Sequence, residues 1–322
     1  MNTTSTDSLE LAHHTLRILD PEISLRFYQD KLGMTLLAQR VDGGRSHYYL
    51  AYADGHEAVQ DDVTLTQWQG PCFLELVHDL AVVVDVRKQP DSSEGYWKIS
   101  IAVPDVDIAR SRLVANNVEV DTPRQVSDIA YLCHFSDPDG YCIELIQHDF
   151  QHNHHPEPES SLYSLGTRPS FLLITYRVKE IARSLKFYRD LLGMRLLSKQ
   201  VVESKGFTLY FLACTNEMPP SADIESVDNR EWLWKRPYPM VELQHIWGTE
   251  KTEEFSYRTS SESGFEGISF GVLKLEEILK RISQEINANV PWDIDPILQL
   301  KTVTVLDPDG YPIRLIGKTY KQ

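Results

Sequence analysis

No stretch of this chain holds the ~18 consecutive apolar residues that a membrane-crossing helix needs, so no membrane partner is expected. Basic residues are also scarce and do not cluster: 32 Lys+Arg stand against 47 Asp+Glu, a formal net charge of −15. A nucleic-acid surface or an anionic membrane partner requires a basic patch, and both are excluded. A small anionic substrate is not, because one or two cations inside a cleft suffice to hold it. Only four cysteines occur, Cys72, Cys133, Cys142 and Cys214, with no Cys-x-x-Cys spacing. They read as reduced, buried thiols of a cytoplasmic protein. The opening residues, MNTTSTDSLELAHH, carry neither a positive segment nor an apolar one, so no secretory signal is expected.

What is there is repetition. Phe27-Tyr28-Gln29-Asp30-Lys31-Leu32-Gly33-Met34 returns 160 residues later as Phe187-Tyr188-Arg189-Asp190-Leu191-Leu192-Gly193-Met194. Leu74-Glu75-Leu76 returns as Val241-Glu242-Leu243, and Asp137-Pro138-Asp139-Gly140-Tyr141 returns as Asp307-Pro308-Asp309-Gly310-Tyr311. Three matched blocks in one order make the 322 residues a duplication. The polar tract over 148–168 separates the copies as residues 1–150 and 169–322, with a linker at 151–168. Its histidines, His152, His154 and His155, read as solvated linker residues.

Each half divides again. Thr15–Ile18 reads as a strand, Asp20 as a helix cap with Pro21 at the first helical position, and Gly33 as the helix end. Strands are expected at Ser46–Tyr52 and Cys72–His78. A second cycle opens with Ile99–Val103, followed by a helix over Val106–Asn116 and strands at Val118–Val120, Ala130–Phe135 and Tyr141–Gln147. The second half repeats the order with a strand at Leu172–Val178, a helix at Glu180–Leu192, a strand at Ile268–Leu273 and a helix at Leu275–Ile286. The Asp-Pro-Asp-Gly blocks are tight turns. The chain is therefore an α+β protein of four βαβββ modules. One helix cannot cover both faces of such a sheet, so the modules are expected to pair and enclose clefts.

Glu75, Glu144 and Glu242 sit in apolar strands, where a carboxylate is costly unless it is paired or bound to a metal. Arg314 stands where the second copy repeats Glu144. His78 and His245 follow their strand glutamates by three and point to the opposite face. His14 points away from His13, and His134 reads as a core histidine.

With these residues the whole chain resembles the vicinal-oxygen-chelate superfamily, and glyoxalase I most closely, so two domains of the glyoxalase/bleomycin-resistance/dioxygenase type are implied. The carrying residues are His13 to Ile18, both Phe-Tyr blocks, Leu74-Glu75-Leu76, Glu242 to Glu250 and the turns followed by Ile143-Glu144-Leu145. In glyoxalase I four strand positions hold Zn²⁺ or Ni²⁺, and one ligand carboxylate moves the substrate proton. Mapped here, the first half offers His13, Glu75 and Glu144 as metal ligands, with Lys98 where the family has histidine. The second half offers Leu173, Glu242, Gly267 and Arg314, a degenerate set. A divalent metal (Zn or Ni, alternatively Mn or Fe) is implied, with Glu144 and Lys98 catalytic. Arg17 and Arg177 match the arginine that contacts the carboxylate of glutathione, the implied co-substrate. Asp79 and Ile246 depart from the asparagine that follows the Glu-Leu motif.

Two pairings are open. Pairing within a half joins His13, Glu75, Glu144 and Lys98, and surviving ligands concentrated in one half favour it, or a homodimer pairing first halves; monomer and homodimer are both open. Pairing across halves gives one cleft with His13, Glu75, Gly267 and Arg314 and another with Leu173, Glu242, Lys98 and Glu144, in which side-chain charges replace the metal. The implied activity is that of a glyoxalase I-like lyase or isomerase acting on an α-keto thiol adduct, such as the methylglyoxal–glutathione hemithioacetal. The alternative is a metal-free binding protein with ion-paired clefts. Extradiol cleavage needs two histidines and a carboxylate, and a single well-placed histidine argues against it.

Overall fold

The computed structural model describes residues 9–52, 72–81, 93–156, 158–258, 264–295 and 300–318; the opening residues 1–8 lie outside that range. The first module runs β1 (Leu9–Arg17), α1 (Pro21–Arg26), β2 (Thr35–Asp42), β3 (Arg45–Ala51) and β4 (Phe73–Asp79). The second runs β5 (Tyr96–Val103), α2 (Val106–Ala115), β6 (Arg124–Val126), β7 (Ala130–Ser136) and β8 (Cys142–Gln147). The third runs β9 (Ser170–Arg177), α3 (Ile181–Leu185), β10 (Arg195–Val202), β11 (Phe207–Ala213), an added helix α4 (Asp228–Trp234) and β12 (Met240–Ile246). The fourth runs β13 (Phe265–Val272), α5 (Leu275–Ile286), β14 (Asp293–Ile294), β15 (Lys301–Leu306) and β16 (Pro312–Gly317). No described helix is long and apolar enough to cross a membrane.

The modules pair across the halves. One eight-stranded sheet runs β14-β15-β16-β13-β1-β4-β3-β2, the other β10-β11-β12-β9-β5-β8-β7-β6. The first module thus joins the fourth through antiparallel β1 and β13, with His13 opposite Ser269 and Thr15 opposite Gly267. The second joins the third through β5 and β9, with Lys98 opposite Thr175. Pairing within a half, which would have gathered His13, Glu75 and Glu144, is not what forms.

The pair of repeated motifs ties the two sheets to each other. Asp20 caps α1 through the amides of Glu22 and Ile23. The helix then widens into a π-helical turn over Phe27–Lys31, and the third module repeats this at Lys186–Leu191. The wide turn lets two consecutive residues, Phe27 and Tyr28, both be buried. Tyr28 donates its hydroxyl to Asp137 of the first Asp-Pro-Asp-Gly turn at 2.8 Å, and Asp137 also accepts from the amides of Gly140 and Tyr141. Asp139 accepts from the Leu19 amide and the Ser24 hydroxyl. The second copy repeats the clasp: Tyr188 donates to Asp307 at 2.7 Å, and Asp309 accepts from the Lys179 amide. Positive φ at Gly140 (101°) and Gly310 (94°) closes each turn. Each half therefore contributes one module to each sheet and fastens its two modules by a helix–turn clasp.

Strand alternation sends one side of each sheet into a common apolar core, and the other side carries the polar cleft residues beside smaller apolar clusters. His14 lies on the core side, stacked on Tyr96 at 5.5 Å and near Phe265, without a hydrogen bond from either ring nitrogen. Burial pushes its pKa down to about 3, so it is a neutral packing residue, facing away from His13 as expected. The linker is less solvated than its composition suggests: His154 sits 2.9 Å from Asp105, the residue that caps α2.

Candidate functional site

In the sheet of modules two and three, four adjacent strands carry their polar side chains to one point. β5 pairs β8 with Ser100 opposite Glu144, and β12 pairs β9 with Glu242 opposite Thr175. Lys98 sits between the two pairs. Its Nζ donates to Glu144 Oε1 at 2.8 Å, Glu242 Oε2 at 3.2 Å, Ser100 Oγ at 3.2 Å and Thr175 Oγ1 at 3.3 Å. Ser100 and Thr175 each donate in turn to their neighbouring carboxylate, at 2.7 and 2.8 Å. The exposure of Lys98 is 2%, of Glu144 4% and of Glu242 2%. This lysine-centred cleft also takes in His134, whose Nε2 lies 3.1 Å from Glu144 Oε2. His134 is thus a cleft residue, not the core histidine that its apolar strand suggested. β7 pairs β8 with His134 opposite Glu144, and opposite residues share a face.

The electrostatics separate the two carboxylates. Burial opposes the charge on Lys98, but Glu144 and Glu242 outweigh it and hold the ammonium well above the ordinary lysine range. Glu144 is desolvated too, yet Lys98 and His134 pull its pKa below the usual carboxylate range. Glu242 is raised: burial dominates, Lys98 offsets it only in part, and the charge on Glu144 adds to the rise. The two carboxylates are thus shifted in opposite directions.

The sheet of modules one and four carries the opposite arrangement, a glutamate-centred cleft. Glu75 accepts from Thr15 Oγ1 at 2.7 Å and lies 2.8 Å from His47 Nδ1. Burial opposes its charge, but His47, His13 and Thr15 hold its pKa below the usual range. His13 is pushed down to about 4, chiefly by burial, with Arg314 and Arg40 adding to the effect of burial and Glu75 opposing it. Arg314, across the sheet joint, is bound by Asp295. Gly267 has φ +104°, and a Cβ there would fall 2.0 Å from the carbonyl oxygen of Pro312, so the backbone approach excludes any ligating side chain.

The expected site residues therefore divide into two groups. Glu144, Lys98, Glu242 and Leu173 share one cleft; His13, Glu75, Gly267 and Arg314 share the other. Among the described residues no group of three His, Cys, Asp or Glu is placed to hold a metal ion. Neither set fits the metal that the resemblance implies. In one cleft an ammonium lies between the two candidate carboxylate ligands and Leu173 offers no donor atom. In the other, glycine and a permanently charged guanidinium replace two ligands. Arg17 and Arg177 occupy corresponding cleft rims. Arg17 shares Glu266 with Arg45, whereas Arg177 donates to Gln244 Oε1 at 2.9 Å and to the Glu94 carbonyl at 2.8 Å. His78 and His245 lie off the cleft faces, and His245 pairs with Glu250 at 3.1 Å. Sequence reasoning missed Arg40, His47 and Tyr49. Their signal was the register of β2 on β3, which a single sequence does not show.

The comparisons with known proteins agree with this fold. Residues 10–145 and 170–315 match the family model described as Glyoxalase/Bleomycin resistance protein/Dioxygenase superfamily. Glyoxalase I of Saccharomyces cerevisiae is 28% identical, covering 97% of this chain and 94% of its own length. Lactoylglutathione lyase of Schizosaccharomyces pombe is 25% identical over 98% of both chains. The crystal structure of glyoxalase I from Zea mays superposes with a TM-score of 0.68 at 20% identity, covering 96% of this chain and 92% of that one, which shows a shared fold. The chain belongs to the Glyoxalase/Bleomycin resistance protein/Dioxygenase superfamily.

Proposed function

We propose that this member of the superfamily is a glyoxalase I-like lyase or isomerase acting on an α-keto thiol adduct, such as the methylglyoxal–glutathione hemithioacetal, in the lysine-centred cleft. The names of its full-length relatives support the reaction class. One observation carries the assignment of the cleft: Lys98 Nζ is fixed within 3.3 Å of four oxygens, between two buried carboxylates.

The reaction moves a proton between the two carbons that carry the adduct's oxygens. A carboxylate must take the proton, and a cation must hold the oxyanion that develops. Glu242, with its raised pKa, takes the proton from carbon and returns it to the neighbouring carbon. Lys98 donates hydrogen bonds to the enediolate oxygens, which replace its contacts to the Ser100 and Thr175 hydroxyls. Glu144 stays ionised and keeps Lys98 protonated and in place. The substrate gains and loses the same proton, so no co-reactant is consumed. Arg177 stands at the rim of this cleft, where an adduct carboxylate reaches it.

Turnover of the methylglyoxal–glutathione hemithioacetal by the purified chain tests this reading. Activity is expected in wild type and in Glu75→Gln and is expected to disappear in Glu242→Gln. Equal loss in Glu75→Gln and Glu242→Gln, or no turnover by wild type, overturns it. A second reading is a binding protein without turnover. It is favoured by the closure of the ion cluster, in which the three ammonium hydrogens are already answered by protein oxygens. Wild type that retains ligand in native mass spectra and turns over no hemithioacetal selects that reading.

A further inference from the structure

The glutamate-centred cleft holds a charge that neither the fold nor the proposed chemistry uses. Arg40 on β2 is 9% exposed. The register sets it opposite His47, and β3 in turn sets Tyr49 opposite Glu75, so all four side chains lie on the cleft face. Arg40 Cζ lies 5.9 Å from the centroid of the Tyr49 ring, and its Nε is buried without a hydrogen bond. Among the described residues no carboxylate pairs with this guanidinium. Glu75 on that face is already engaged by Thr15 and His47, and Asp295 by Arg314. A guanidinium cannot lose its proton, and a buried cation without a counter-charge is costly unless something supplies one.

The third module shows that the fold does not need a cation there. Its equivalent position is Gln200, opposite Leu209, fully buried and within 3.4 Å of Ser198 Oγ. The cleft face also carries a second cation: Arg314 lies opposite Ser269, which lies opposite His13, and Asp295 pairs with it. We propose that the glutamate-centred cleft is a binding site for a small anion, the carboxylate or phosphate group of a ligand, seated on Arg40 with Arg314 as the second cation. This site is independent of the chemistry assigned to the lysine-centred cleft.

The test is calorimetric titration of the full chain, in a zwitterionic buffer free of other anions, with inorganic phosphate and separately with succinate. Saturable binding of at least one is expected, weakened at least ~10-fold by Arg40→Gln and less by Arg40→Lys, because a charge-assisted contact is lost in the first and kept in part in the second. Binding of phosphate alone assigns a phosphorylated ligand, and binding of succinate alone assigns a carboxylate. Arg40→Gln is expected to keep or raise the melting temperature without anion, since it removes an unpaired buried charge, and to leave hemithioacetal turnover unchanged. No binding of either anion by wild type up to ~20 mM overturns the proposal, as does equal binding by wild type and Arg40→Gln. A melting temperature lowered by more than about 5 °C in Arg40→Gln also overturns it, because the arginine would then be structural.

Discussion

The two clefts start from one design and end with opposite centres. Both keep a strand glutamate, Glu75 or Glu242, and both keep the threonine that donates to it, Thr15 or Thr175, at nearly the same distance. Across the sheet joint they diverge. One cleft has Lys98 and Glu144 there, the other Gly267 and Arg314. Beyond the glutamate they diverge again: His47 and Tyr49 stand where the other sheet has Leu209 and Phe211, and Arg40 where it has Gln200. The result is a cation ringed by carboxylates in one cleft and a carboxylate ringed by histidines and arginines in the other. A duplicated scaffold has kept the strand positions and changed the charges they carry.

The comparison breaks most easily at Lys98. Lys98→Met leaves Glu144 and Glu242 buried without their cation and is expected to cost about 3–5 kcal/mol in denaturant unfolding. It should also cost about 10²–10³-fold in hemithioacetal turnover through loss of the oxyanion donor. Adding Glu144→Gln should recover part of the stability and none of the turnover. Next in size is Glu242→Gln, expected to lower turnover by about 10²–10⁴-fold, against little change for Glu75→Gln.

Lys98→His sharpens the contrast in another way. It supplies a neutral donor beside Glu144 and Glu242 and should take up about one equivalent of Zn²⁺, read by mass spectrometry of the native protein. Gly267→His should fail to do so, because its Cβ meets the Pro312 carbonyl.

The pH dependence follows from Glu242. Its pKa is raised in the folded state, so the acid limb of kcat/KM should fall above the ordinary glutamate value of about 4.3. For stability the sign is that of a group protonated more readily when folded. Its contribution is full below the unfolded value and is lost as pH rises through the folded one. Glu144 has the opposite sign: its contribution is present at neutral pH and is lost on acidification. The smallest effect is expected at the clasps. Tyr28→Phe and Tyr188→Phe each leave a buried aspartate one donor short and should cost about 1–3 kcal/mol apiece, with similar values in the two halves.

The parts of this molecule written in local pattern were legible in its sequence. Leu275, Ile278, Leu279 and Ile282 mark α5 by helical spacing, and the helix runs Leu275–Ile286 as read. The Asp-Pro-Asp-Gly turns and the cap at Asp20 are local chemistry and form as expected. Val118–Val120 is only a single bridge to Phe135, because Arg124–Val126 takes the edge of the sheet instead. The helix Asp228–Trp234 was missed, since its short amphipathic face lies within a polar insertion. Module pairing was not legible: whether β1 meets β13 or a strand of its own half depends on contacts hundreds of residues apart. That one long-range fact separates His13 from Glu144 and places Lys98 beside Glu242. It also explains why Arg40, in a polar run with no motif, stood out only once its strand was laid against His47.

The central claim is that a lysine ammonium, not a metal ion, is the working cation of the second–third module cleft. Hemithioacetal turnover by wild type after exhaustive dialysis against a strong chelator tests it most directly. Unchanged turnover, with no gain on adding Zn²⁺ or Ni²⁺, is the predicted result. Turnover abolished by the chelator and restored by either metal would contradict it.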